Sequence, residues 1–157
     1  MSVEDQSTSA GGSGAPELHE RRDTTRKVCI LVVDDSVDAA ESMCAVLRLF
    51  GNDAEMAHDG ESAVEMVAVK RPDLVLMDLS LPRVSGLEAG RQVRAAVAPH
   101  PIVVVAVTGW GRDEDRAKSL EYGFDAHLTK PVDFEQLKGI IRSVAVAHGF
   151  ASDQRVE

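Results

Sequence analysis

Leu74–Asp78, the stretch LVLMD, joins four consecutive apolar residues to a single carboxylate. A short apolar run without alternating polar residues is typical of a strand buried on both faces of a parallel sheet. Two similar runs, VCILVV at 28–33 and IVVVAV at 102–107, lie on either side of it in the chain. Together the three runs predict that the chain builds its core around a parallel β-sheet.

Strand patterns and helical patterns alternate along the chain outside these runs. Each predicted strand is followed by apolar residues at helical spacing, most clearly Leu137, Ile141 and Val144 after the last strand. Five successive strand–helix units predict an α/β fold, a doubly wound five-stranded parallel sheet with five helices. We place the five strands at residues 28–33, 53–57, 73–77, 102–107 and 125–128.

Length and composition predict one domain between two tails. The 157 residues suffice for a single core, at 27–148, whereas Ser, Thr, Gly and charge dominate 1–26 and predict a disordered tail. Residues 149–157 are expected to form a short flexible tail. No apolar run approaches the roughly 20 residues of a membrane span, and no secretory signal pattern is present, so we expect a cytoplasmic protein. A net charge of −9 disfavours nucleic-acid binding.

Polar side chains fall at or just beyond the carboxyl ends of four predicted strands. Because the carboxyl ends of parallel strands meet at one edge of the sheet, we expect these side chains to converge there. Three carboxylates in one place raise at least one pKa unless a cation lies between them, and Mg²⁺ prefers such oxygen ligands. The residues are Asp34 and Asp35 after the first strand, Asp78 after the third, Thr108 after the fourth and Lys130 after the fifth.

The expected cluster has the parts of a phosphoryl-transfer site. An ionised aspartate can attack phosphorus and form an acyl phosphate, while a metal, a lysine and a hydroxyl stabilise the phosphoryl oxygens. Pro131 follows Lys130, and a cis bond between them is one way to aim the lysine inward. Taken singly, each residue has an ordinary explanation as a helix cap, a turn residue or a surface charge. Because all of these residues fall at the ends of predicted strands, a phosphoryl-transfer site is favoured over these ordinary explanations.

Four stretches of the sequence resemble the receiver domain of bacterial two-component response regulators. They are ILVVDDS, LVLMDLSLPRVSGLE, VVAVTG and DAHLTKPVD, in the order and spacing of that family. The resemblance covers about residues 27–147 and implies a flavodoxin-like (βα)5 fold. The sequence from Gly109 to Asp133 is similar to that of receivers attached to hybrid sensor kinases. It implies that Asp78 is the phosphoacceptor and that Thr108 and Lys130 bind the phosphoryl oxygens.

The resemblance also implies a metal ion and partner proteins. An Mg²⁺ or Mn²⁺ ion would be held by Asp35, Asp78, the Ser80 backbone carbonyl and, through water, Asp34. The phosphoryl group would come from a sensor histidine kinase or a histidine phosphotransfer protein, in a phosphorelay module that is not an enzyme beyond slow autodephosphorylation. Because few residues follow the last helix, we expect a stand-alone receiver. Its output would be phosphate relay, or protein contact through the face of helix 4, strand 5 and helix 5.

Three residues depart from the family's usual pattern and are candidates, with Pro131, for changing its switch or phosphate lifetime. Gly109 stands where Ala is common and would loosen the following loop. His127 stands where a switching Tyr or Phe is common, which implies a different link between Thr108 and the output surface. Trp110 lies two residues after Thr108, where its indole would either shield the acyl phosphate from water or dock a partner.

Three other functions fit parts of the sequence. An aspartyl-nucleophile phosphatase would carry a second acid two residues after the nucleophile, where this chain has Ser80. A flavin-binding protein of flavodoxin type would carry a hydroxyl- and glycine-rich phosphate loop after the first strand, where Asp34 and Asp35 stand. A phosphate-independent scaffold with a vestigial site would tolerate the loss of site residues, yet all of them are present.

Overall fold

The structure, a computed structural model, describes residues 26–109 and 113–149, without the side chains of 113–115. The predicted tails at 1–26 and 149–157 lie outside the described residues except for Arg26 and Gly149, and Trp110 lies outside them as well. Five strands and five helices alternate in the described chain. The strands are β1 Cys29–Val33, β2 Asp53–Ala57, β3 Leu74–Asp78, β4 Val103–Thr108 and β5 Ala126–Thr129. The helices are α1 Val37–Leu49, α2 Gly60–Lys70, α3 Gly86–Val97, α4 Asp113–Glu121 and α5 Phe134–Ala147.

The five strands form one parallel sheet in the order β2-β1-β3-β4-β5. This arrangement confirms the predicted doubly wound five-stranded fold, and the order changes direction between β1 and β3. Open α/β sheets bind their ligands at this switch point, beside the carboxyl ends of the strands. None of the helices within the described ranges is long and apolar enough to cross a membrane.

The core lies on both faces of the sheet, which explains the continuous apolar runs. Leu74 and Leu76 of β3 pack on the face covered by α1 and α5, whereas Val75 and Met77 pack on the face covered by α2 and α3. Since both faces are buried, a strand in the middle of this sheet has no position for a solvated side chain.

Polar side chains cap the first two helices at the carboxyl edge of the sheet. The Ser36 hydroxyl accepts a hydrogen bond from Ala39 N–H and caps α1, and the Asp59 carboxylate accepts one from Ser62 N–H and caps α2. Because Ser36 is the cap of α1, the neighbouring Asp35 does not serve that purpose. Its carboxylate is therefore available for another role.

Candidate functional site

The end of β1 presents two carboxylates with different exposure. Asp34 is buried, its backbone N–H donates to Ala57 O at 3.1 Å, and its Oδ1 accepts the Ser36 N–H at 2.9 Å. Asp35 is exposed. The two side chains therefore offer one fixed and one accessible carboxylate at the switch point.

Asp78 is the last residue of β3 rather than the first residue after it, so the predicted strand end was one residue too early. It pairs with Val107 in the ladder, and it is only 6% exposed. Its Oδ1 accepts the Ser80 N–H at 2.8 Å, which fixes the orientation of the carboxylate.

The first residue of α3 lies against the backbone at the end of β3. A Cβ atom added at Gly86 would overlap the carbonyl oxygen of Asp78 and the Cα of Leu79. The Gly86 N–H also donates to Leu79 O at 3.3 Å. Only glycine permits this close approach, and it holds the loop after Asp78 folded back on the strand.

Lys130 joins the two buried carboxylates. Its Nζ lies 3.2 Å from Asp34 Oδ2 and 3.4 Å from Asp78 Oδ2. The Lys130–Pro131 peptide is cis. Thr108 is the buried last residue of β4, and its carbonyl accepts the Lys130 N–H at 2.8 Å, so the threonine and the lysine are adjacent.

The three aspartates converge as the sequence predicts. One carboxylate oxygen from each of Asp34, Asp35 and Asp78 lies within 4.8 Å of the others. A group of three carboxylate oxygens at this spacing suits a hard divalent cation such as Mg²⁺. Three negative charges against the single charge of Lys130 leave an excess that a divalent ion would offset.

Burial and charge shift the ionisation of this cluster in opposite directions. Burial, and to a smaller extent Asp34, raises the pKa of Asp78 above its ordinary value, although the Ser80 N–H and Lys130 act against the shift. Burial would lower the pKa of Lys130, but its hydrogen bond to Asp34 and the charge of Asp78 raise that pKa overall. The site therefore holds its lysine firmly charged beside a carboxylate that is costly to ionise.

Not every predicted residue lies in this cluster. His127 is in β5 and is partly buried, with its Nδ1 3.4 Å from the Ser119 Oγ of α4, which is a contact between the strand and the helix. Gly109 is exposed directly after β4, and Pro131 is exposed after Lys130. Their predicted effects on switching remain predictions.

Sequence reasoning missed three residues beside the cluster. His58 contacts the backbone of Asp34, and Arg83 forms an ion pair with Asp59. The only sequence signal was position, since His58 and Asp59 follow the second strand and Arg83 lies five residues after Asp78. A cavity of about 400 Å³ beside Asp34, Asp78 and Lys130 was also not predicted.

The family model of the response regulator receiver domain matches residues 30–142, which is most of the chain. The protein belongs to this family of signalling modules. The matched range contains Asp34, Asp78, Thr108 and Lys130. The fold described above is therefore that of a receiver domain.

Curated relatives include response regulators from mycobacteria. Response regulator MprA of Mycobacterium ulcerans (strain Agy99) is 39% identical over 117 residues, which cover 74% of this chain and 50% of that protein. MprA of Mycobacterium tuberculosis (strain ATCC 25618 / H37Rv) is 38% identical over 117 residues, with the same shares. The chain thus spans about half the length of the curated relatives it matches.

Solved receiver structures superpose on the chain. One match is the receiver domain of the sensor histidine kinase PA1611 from Pseudomonas aeruginosa PAO1, a structure with a magnesium ion coordinated in the active-site cleft. Its TM-score is 0.69 at 29% identity, and the match covers 76% of this chain and 98% of that chain. A second match is the Saccharomyces cerevisiae co-crystal structure of the histidine phosphotransfer signalling protein Ypd1 with the receiver domain of its downstream response regulator Ssk1. It gives a TM-score of 0.72 at 28% identity and covers 81% of this chain and 94% of that chain.

Proposed function

We propose that the protein is a phosphorylation-controlled receiver in which Asp78 accepts a phosphoryl group from a phosphohistidine on a partner protein. The observation that carries this proposal is the contact of the Lys130 Nζ with both Asp34 and Asp78, at 3.2 and 3.4 Å, inside a group of three carboxylates. The alternative of a phosphate-independent scaffold gives no reason for a buried carboxylate and a lysine to be held at the switch point.

The transfer would join a carboxylate oxygen of Asp78 to phosphorus and break the phosphorus–nitrogen bond of the donor. The histidine nitrogen leaves with the electron pair of that bond and takes a proton. Lys130 and the Thr108 hydroxyl stabilise the charge on the phosphoryl oxygens, because both belong to residues fixed at the ends of adjacent strands. Catalysis is then chiefly a matter of position and charge.

A divalent cation fits the same cluster. Asp35, Asp78, the Ser80 backbone carbonyl and, through water, Asp34 would hold Mg²⁺ or Mn²⁺, which would neutralise charge on the phosphoryl oxygens. The spacing of the three carboxylates supports this assignment. The magnesium ion in the PA1611 receiver is further support.

The site favours a switch over a turnover catalyst. An aspartyl phosphatase needs a general acid two residues after its nucleophile, and here Ser80 offers a hydroxyl, with its N–H bound to Asp78 Oδ1. A group without a suitable pKa cannot protonate the leaving group. The phosphorylated form is therefore expected to persist until water or a partner removes the phosphate.

The partners follow from the proposed chemistry. The donor is a sensor histidine kinase or a histidine phosphotransfer protein, and the Ssk1 receiver bound to Ypd1 supports the latter type. The output is a protein contact through α4, β5 and α5, or a relay of the phosphate. The His127–Ser119 contact joins β5 to α4 inside this face.

Intact mass after incubation with acetyl phosphate and Mg²⁺ tests the proposed function. Wild type is expected to gain one phosphoryl group and Asp78→Ala none, because Asp78 is the proposed nucleophile and Asp34, which also contacts Lys130, is assigned to the metal. Asp53→Asn, an exposed acid at the start of β2, serves as the control and is expected to behave as wild type. A phosphoryl group that persists in Asp78→Ala would contradict the proposal.

A further inference from the structure

We infer that Arg83, Asp59 and His58 form a clamp that positions the metal ligands of the proposed site. The inference rests on the proposed function and extends it to residues that touch neither the metal nor the phosphate. They are positioning residues, which connect the loop after β1, with Asp35, to the loop after β3, with Ser80.

Arg83 occupies a backbone conformation that favours glycine. Its φ is 61°, and the other non-glycine residue with positive φ in the described chain is Arg71, at 49°. Arg71 ends α2 as its C-cap, an ordinary place for the left-handed conformation. Arg83 lies in the loop between β3 and α3, where no helix end explains it. Such outliers persist where surrounding contacts hold them, and they cluster at functional sites.

The contact that holds Arg83 is an ion pair with Asp59. The Arg83 Nη2 lies 3.1 Å from Asp59 Oδ2, while the other oxygen, Oδ1, accepts the Ser62 N–H at 2.7 Å as the cap of α2. Hydrogen bonds from Ser62, and then the charge of Arg83, lower the pKa of Asp59, so the carboxylate is charged at neutral pH. One side chain thus connects the start of α2 to the loop after β3.

The residues before α2 also contact the loop after β1. The His58 Nδ1 lies 3.0 Å from Asp34 O, and because a carbonyl only accepts, the imidazole donates this bond. The Ala57 carbonyl accepts the Asp34 N–H at 3.1 Å. Residues 57–59 therefore hold the backbone of Asp34 on one side and Arg83 on the other.

Close packing at Gly60 completes the connection. A Cβ atom added there would lie 3.1 Å from the Ala89 Cβ and 3.3 Å from the Val84 Cβ. Val84 directly follows Arg83 in the chain. The start of α2 is thus in direct contact with the loop that supplies Ser80 and with the first turns of α3. The Arg83–Asp59 ion pair therefore joins two segments, the start of α2 and the loop after β3, that already pack against each other.

The clamp matters because the proposed metal is demanding in its geometry. Mg²⁺ binds with near-ideal octahedral angles, so a small shift of one ligand loop relative to the other weakens binding. Contacts that orient metal ligands commonly change metal affinity by about 10- to 100-fold when removed. The Arg83 side chain is 62% exposed, so we expect a smaller effect here.

Metal affinity and folding stability, measured on the same variants, test the clamp. We choose Mn²⁺ and measure its dissociation constant from the electron paramagnetic resonance signal of the free ion. Arg83→Gly removes the ion pair and relieves the left-handed backbone, and Asp59→Asn removes the ion pair but keeps a good helix cap. Each is expected to weaken Mn²⁺ binding by about 3- to 10-fold without lowering the urea midpoint in EDTA. The double variant is expected to be no weaker than either single variant.

Controls separate the clamp from the loss of any surface ion pair. Glu55→Gln breaks the exposed Lys70–Glu55 pair, whose atoms lie 3.2 Å apart, and is expected to leave Mn²⁺ affinity unchanged. Arg83→Lys keeps the charge and is expected to restore part of the affinity. If Arg83→Gly and Asp59→Asn bind Mn²⁺ as tightly as wild type, the clamp is wrong and the proposed function stands. If wild type itself neither binds Mn²⁺ nor accepts a phosphoryl group, the proposed function has failed.

Discussion

Asp78 combines deep burial with a negative charge, and this combination affects both folding and function. The carboxylate would be more stable in water, which is why its pKa lies above the ordinary value of 3.8. Ser80 and Lys130 compensate for only part of the cost. A carboxylate that is costly to ionise gains most from a cation beside it, so function is expected to oppose stability here.

Asp78→Asn is therefore expected to stabilise the metal-free protein. The folded-state pKa of Asp78 is raised, so its contribution to stability is present below the ordinary value and lost as pH rises through the folded-state pKa. In Asp78→Asn this pH-dependent loss of folding stability does not occur, and Lys130 remains paired with Asp34. At neutral pH the variant should therefore be about 1 kcal/mol more stable than wild type. Urea unfolding in EDTA between pH 4 and 7 measures the difference. A difference that does not grow with pH would contradict the assignment.

Gly86→Ala is expected to displace the loop after Asp78. The new methyl group would meet backbone atoms of Asp78 and Leu79, which cannot move aside as a flexible side chain can. We expect a loss of about 2 kcal/mol in the free energy of unfolding and slower phosphorylation by acetyl phosphate. Gly139→Ala in α5 is the matched control, because a Cβ there meets nothing within 4 Å. This control should gain about 0.5–1 kcal/mol from helix propensity, and equal effects of the two substitutions would contradict the steric explanation.

At the scale of elements, a buried carboxylate at the amino end of β3 joins the sheet to the last helix. Asp73 Oδ2 accepts the Cys29 N–H at 2.9 Å, and Oδ1 lies 3.0 Å from Nδ1 of His148, the C-cap of α5. Arg26 lies 4.0 Å from the same carboxylate. The end of α5 is thus fixed to β3 on the side opposite Asp78.

His148→Ala is expected to loosen the end of α5 and to lower the free energy of unfolding by about 1–3 kcal/mol, because the buried Asp73 carboxylate then loses a hydrogen-bond partner. His148→Gln, which keeps a donor on a long side chain, should lose less. Urea unfolding measures both variants, and hydrogen exchange of the α5 amides locates the change. Equal stability of His148→Ala and wild type would show that the pair contributes nothing.

The elements could be predicted because the signals for them are local. Apolar runs identify buried strands, and polar residues directly after the runs identify the site, as Asp34 and Lys130 illustrate. The end of β3 was missed by one residue because Asp78 pairs through its backbone, which its polar side chain does not reveal. The Arg83–Asp59 and Asp73–His148 pairs could not be predicted. Each joins residues distant in sequence and depends on loop geometry such as the φ of Arg83.

At the scale of the whole molecule, the acidic cluster concentrates part of the protein's net charge of −9 at one edge of the sheet. Repulsion among negative charges destabilises the folded state, and a cation bound between the three aspartates would reduce this repulsion. The proposed metal is therefore expected to stabilise the whole domain as well as the site.

Mg²⁺ is expected to raise the unfolding free energy by about 2.7 kcal/mol at a concentration 100 times its dissociation constant. Asp35→Asn should remove most of this gain while changing metal-free stability little, because Asp35 is exposed and does not cap α1. Thermal unfolding in EDTA and in Mg²⁺, with NaCl at matched ionic strength, measures the effect. A gain that is the same in Asp35→Asn would place the metal elsewhere.

The alternation of β3 side chains between the two faces of the sheet has a consequence for how a message leaves the molecule. Leu76 and Met77, which precede Asp78, belong to opposite faces and pack under different pairs of helices. A small displacement of the strand end would therefore reach both layers of helices at once. Under the proposed function, we therefore expect phosphorylation of Asp78 to affect the α1–α5 side and the α2–α3 side of the sheet together.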